Sequence, residues 1–187
     1  MVPIVTLWLP ILLSAVVVFI LSSLVHMVFH YHDSDLKKLP DEDGVAGALR
    51  GFSIPPGEYM LPYTTSTKER RSPEFLEKLK TGPVAMMTVW PTRAKMSMGK
   101  ELIQWFLYCV VVSVFVAYVT GRAVQAGTEY LQVFRFAGVT AFSCYCVAGW
   151  QDSIWWKKSW LTSFKNTIDG LLFALFTAGI FGWLWPR

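Results

Sequence analysis

The sequence predicts an all-α membrane protein: four transmembrane helices, with a small α+β cytoplasmic cap between the first and the second. Three observations carry that reading. Apolar residues make up 53% of the 187 positions and gather into four long blocks, as bilayer-spanning helices require. The cations lie between those blocks and are shared very unequally by the two sides. A polar stretch, residues 33–100, separates the first block from the rest and carries its own helix and strand signals. The chain therefore divides into 1–32, a first helix with an interfacial extension, 33–100, the cap, and 101–187, helices two to four.

The first span runs from Pro3 to Val25, long enough at 1.5 Å per residue to cross a hydrocarbon core of about 30 Å. Pro10 either kinks it or marks its true start. No basic residue precedes the run, it outlasts a signal-peptide core of about 7–15 residues, and no small-x-small cleavage site comes before Asp33. The expectation is a retained helix. The second span covers 102–120 and stops at Gly121-Arg122, the third covers 130–150, and the fourth covers 168–185, closed by Pro186.

Orientation follows from the lysines and arginines. Fourteen of the 17 fall in the loops after spans one and three, Arg93 and Lys95 among them, and three (Arg122, Arg135 and Arg187) fall on the other side. The cation-rich side faces the cytoplasm, so both termini face outward. Trp105, Trp150, Trp155 and Trp156 then lie at the inner interface, with Trp8, Trp183 and Trp185 toward the outer one.

Within the cap, Asp41-Glu42-Asp43 opens a short helix through Arg50 that stops at Gly51. Ser72-Pro73-Glu74 supplies an N-cap, a proline at the first helical position and an acidic first turn, ended by Thr81-Gly82-Pro83. Residues 58–63 and 84–90 read as strands. The Trp155–Trp160 segment, with Lys157 and Lys158, reads as interfacial, its lysines reaching out from rings at headgroup level.

The net charge of +4 and pI near 9.0 do not imply nucleic-acid binding, because the charges flank apolar spans and no base-stacking motif accompanies them. Cys109, Cys144 and Cys146 all sit in apolar runs and read as small buried hydrophobes. Missing too are a c-type haem motif, a Walker loop, a dinucleotide fingerprint and a nucleophile elbow. No catalytic residue stands out, and a non-enzymatic role is the expectation.

Three features are candidates for function. His26, His30 and Asp33 stand at i, i+4 and i+7, one face of a helix that continues past the first span. A spacing of four lets two imidazoles share an ion, so these residues are the candidate site for a divalent metal such as zinc; His32 faces away from that row. Asp152 and Gln104 belong at the same end. Gly170, Ala174, Ala178 and Gly182 form a small-residue stripe on the fourth span, a surface for close helix packing within the chain or against a second one. Arg135 is the one clear charge inside a span; it reaches the outer headgroups, or pairs with a partner's acid or an anionic lipid.

Several strings carry a resemblance: His26-Met27-Val28, Tyr31-His32-x-Ser34-Asp35, Lys38-Leu39-Pro40-Asp41-Glu42-Asp43, Pro56-Gly57-x-Tyr59, Gly82-Pro83-Val84, Met98-Gly99-Lys100 and Phe181-Gly182-Trp183-Leu184-Trp185-Pro186. Along most of its length the chain resembles a group of small bacterial four-span integral membrane proteins of unassigned function. The resemblance implies the bacterial inner membrane and supplies no site residues. The functional expectation is an interaction or accessory subunit of a homo-oligomer or larger membrane complex, with lipids, further copies or other membrane subunits as partners. The alternatives are a small oligomeric transporter or channel and an intramembrane lipid-modifying enzyme.

Overall fold

The computed structural model describes residues 1–91 and 97–187; Arg93 and Lys95, two of the cations used for orientation, lie outside the described residues. The protein is mostly helical, and the chain separates into two units, Met1–Lys37 with Ser97–Arg187, and Lys38–Met96.

The larger unit holds four helices long and apolar enough to cross a membrane. The first, α1 (Trp8–Met27), follows a 3-10 turn over Ile4–Leu7, so Pro10 sits in the first turn of the α-helix proper, where its missing N–H costs nothing. After Val28 the chain leaves the helix and re-forms as a 3-10 segment over His30–Asp35. The helix therefore does not extend to position 33, and the single face proposed for His26, His30 and Asp33 is not formed. Taking the labels α2 and α3 for the two helices of the smaller unit, the next long helix is α4 (Gly99–Ala123), and α5 (Tyr130–Tyr145) comes after it. The third span is broken: after Tyr145 the chain makes a 3-10 turn over Val147–Gly149 and a short helix, α6 (Trp150–Trp155). The last helix, α7 (Trp160–Trp183), begins two turns earlier than the sequence suggested. Asp169, the second residue of the span expected from 168, therefore lies well inside the helix.

Packing explains the shift at α7. It is the least apolar of the four long helices, yet the largest share of it is buried. Its polar residues Ser163, Asp169 and Thr177 point inward, which hydropathy alone reads as polar sequence outside a span. Ser163 Oγ meets Ser153 Oγ of α6 at 2.6 Å, and Thr167 Oγ1 accepts from Trp150 Nε1 at 2.8 Å.

The small-residue stripe is used inside the chain. A Cβ on Gly170 would fall 2.6 Å from Cys146 Cβ, and one on Gly182 would fall 2.7 Å from the Tyr130 ring. Ala174 and Ala178 are buried in the same core as Val133, Ala137 and Ala141 of α5. The two helices touch nearly backbone to backbone, the close approach that small residues permit. On α4, Ser113, Ala117 and Gly121 are likewise buried, with the Val2 amide donating to the Gly121 carbonyl at 2.8 Å.

The smaller unit contains α2 (Glu42–Gly51), β1 (Gly57–Leu61), α3 (Pro73–Thr81) and β2 (Ala85–Val89). The strands pair antiparallel with Tyr59 opposite Met87. Asp41 caps α2 by accepting from the Gly44 amide at 3.0 Å, and Ser72 caps α3 by accepting from the Phe75 amide at 3.2 Å. Gly82, at φ +67°, ends α3 in a conformation that favours glycine. Among its described residues only Phe75 is buried, in keeping with a unit too small for a sizeable core.

Candidate metal centre

The 3-10 segment folds back over the end of α1 and lays the His32 ring against His26, with centroids 4.5 Å apart and planes 10° from parallel. Its other neighbour is α7. His32 Nδ1 lies 2.6 Å from Asp35 Oδ2, and its Nε2 lies 2.8 Å from Asp169 Oδ2. The Tyr31 hydroxyl donates to the second oxygen of Asp169. Lys165, one turn before Asp169 on α7, closes the group by donating to Asp35 Oδ1 and Ser34 Oγ, each at 2.8 Å, and to the Tyr31 carbonyl.

The chemistry follows from the partners. His26 Nδ1 lies 3.0 Å from the Ser22 carbonyl; a carbonyl only accepts, so Nδ1 carries the proton and Nε2 is the ligand nitrogen when the ring is neutral. A neutral His32 can donate to only one of its two carboxylate neighbours; donation from Nδ1 to Asp35, the arrangement found behind a metal-bound imidazole, leaves Nε2 facing Asp169. One ligand atom from each of His26, His32 and Asp169 lies within 4.8 Å of the other two. Zinc at about 2.0–2.2 Å from each donor needs them within about 4.4 Å of one another, slightly less than that spacing.

Charge favours a cation here. With both imidazoles neutral, two carboxylates face the single ammonium of Lys165, and Asp169 is only 5% exposed. A proton on His32 offsets the same surplus. Burial pushes that imidazole down from its ordinary 6.5, but the Asp35 and Asp169 carboxylates outweigh burial and hold it above that value. Burial also pushes the Asp35 carboxyl up, and hydrogen bonds from Lys165 and His32 outweigh it and hold the group below 3.8. Burial and the Asp169 carboxylate keep the Tyr31 phenol well above 10.0, so it remains a donor.

A cavity of about 510 Å³ opens beside the group where α5 breaks off, with His26 and Asp169 in its wall. Its lining combines the rings of Trp105, Tyr145 and Phe173 with the polar side chains of Asn166, Asp152 and Lys158, the last two paired at 2.7 Å. Trp105 is itself fixed by donating to Ser22 Oγ at 2.6 Å.

Of the three residues singled out from the sequence as metal ligands, only His26 belongs to this group. His30 and Asp33 approach each other to 3.3 Å as an exposed surface pair, and the ligand group includes neither. Gln104 is exposed on α4, while Asp152 lines the cavity. Arg135 is exposed on α5. Sequence reasoning missed His32 and Asp169; the His32–Asp35 spacing of three was a legible signal, whereas the 137-residue separation of His32 from Asp169 was not. No family model matches this chain, and neither a curated protein nor a solved structure does.

Proposed function

We propose that the chain is a four-span protein of the bacterial inner membrane that binds a divalent metal such as zinc at the cytoplasmic end of its bundle. His26, His32 and Asp169 are the ligands, and Asp35 orients His32. The membrane reading is supported by the four long apolar helices and by their outward faces, where Ile20, Leu107, Phe115, Val139 and Leu175 are exposed; so large an apolar surface is not stable in water. The observation that carries the metal reading is the approach of one ligand atom from each of two imidazoles and one buried carboxylate to within 4.8 Å of one another. The stripe, open from sequence to packing within the chain or against a second copy, lies against α5 and Cys146 just beyond it, which turns the weight from self-association to this centre.

Elemental analysis of the detergent-purified protein tests the reading. About one zinc per chain is expected in the wild type and in His30→Ala, with a large loss in His32→Ala and in Asp169→Asn, and weaker retention, by about 10–100-fold in affinity, in Asp35→Asn. Equal metal in all of these variants, or none in the wild type, overturns it and leaves the group as an ionic lock between residues 31–35 and α7.

The cavity favours a second reading, an enzyme acting on a lipid headgroup. Two imidazoles and one carboxylate leave a coordination position open, as catalytic zinc sites do, and a cavity lined by both apolar rings and polar side chains suits an amphiphile.

A further inference from the structure

We propose that the groove between α5 and α7 that begins at Arg135 binds an anionic phospholipid, its phosphate on the guanidinium and one acyl chain along the groove. The proposal rests on the membrane reading and is independent of the metal centre. Arg135 lies five residues past Tyr130, about 7.5 Å along the helix from its start, on an exposed face. Among the described residues no carboxylate pairs with it. A cation at that depth in a span calls for an anion or for water at the interface. Arg122, in the last turn of α4, is already engaged, over the Tyr118 ring at 5.5 Å and against Met1 Sδ at 3.2 Å.

Beyond Arg135 the groove is apolar throughout, about 340 Å³ and lined by Phe134, Gly138, Val139, Phe142, Leu175 and their neighbours on α7. Gly138 and Ala174 keep it open by contributing almost no bulk; a Cβ on Gly138 would already stand 3.3 Å from Ala178 Cβ. From Arg135 to Phe142 it runs about 10.5 Å along the helix, room for a stretch of acyl chain. A planar guanidinium binds a phosphate through two parallel hydrogen bonds, and a lipid with net negative charge satisfies it where a zwitterion brings its own ammonium.

Native mass spectrometry of the full-length protein in mild detergent, with phosphatidylglycerol or phosphatidylcholine of the same acyl chains, provides the test. The wild type is expected to prefer the anionic lipid by about fivefold. Arg135→Gln brings the ratio near one, Arg135→Lys keeps part of it, and Arg187→Gln keeps all of it. Val139→Trp, at a position 68% exposed and so harmless to the core, lowers binding of both lipids. A preference that survives Arg135→Gln, or that Arg187→Gln removes equally, overturns the proposal. Wild-type protein that leaves vesicles on alkaline washing overturns the membrane reading and this site with it; protein that stays with the vesicles but shows no preference overturns the groove alone.

Discussion

His32 stands between two carboxylates, and its proton and a metal ion compete for the same nitrogen. In metal-free protein its raised value gives stability that is fully present below 6.5 and is lost as pH rises through the folded value. Asp35 works in the opposite sense: its lowered value gives stability present above 3.8 and lost as pH falls through the folded value. The melting temperature of chelator-treated protein is therefore expected to be highest in mildly acidic buffer and to fall toward pH 8. Zinc needs the neutral imidazole, so the gain in melting temperature on adding zinc grows over that same rise in pH. Thermal scans with and without zinc from pH 5 to 8 check both slopes, and His32→Ala flattens both. The sequence made part of this legible. The charge count placed Asp169 at the histidine end, and the apolar run located the boundary. What it hid was the break after Met27: the i, i+4, i+7 pattern continues in the letters, but Phe29 is extended and the rings beyond it are re-aimed.

At the scale of elements, α7 carries the most constraint, because one face meets α5 through glycines and alanines while Asp169 reaches the centre. Gly170→Ala places a methyl 2.6 Å from Cys146 Cβ and is expected to cost about 1–3 kcal/mol by overpacking. Gly47→Ala on α2, where nothing lies within 4 Å, is expected to be neutral or mildly stabilising. Unfolding in mixed detergent, followed by tryptophan fluorescence, compares the two. The helices of the smaller unit were readable because their signals are local: Asp41 before Glu42, Ser72 before Pro73 and Gly82 after Thr81 each act within one turn. The start of α7 and the break in the third span were not. Buried polar residues lower the hydropathy of α7's first half, and Cys146 departs from helical geometry in a stretch containing no proline.

Across the whole molecule, one end of the bundle gathers His26, His32, Asp35, Lys165 and Asp169 beside the cavity of about 510 Å³, while the other is tied by backbone contacts such as the Gly127 amide donating to the Pro186 carbonyl at 2.9 Å. That polarity suits a protein whose chemistry faces one aqueous compartment. Cysteine labelling in intact cells is expected to leave Ser34→Cys unmodified by a membrane-impermeant reagent and to modify Gly127→Cys; the reverse pattern would put the centre in the other compartment. The central claim, that His26, His32 and Asp169 together hold a metal, is met most directly by X-ray absorption at the zinc edge of the purified protein. A shell of nitrogen and oxygen donors at about 2.0–2.2 Å with imidazole scattering from two rings, lost in His32→Ala, is the predicted spectrum. A thiolate shell near 2.3 Å, a spectrum without imidazole scattering, or no bound zinc at all would contradict it.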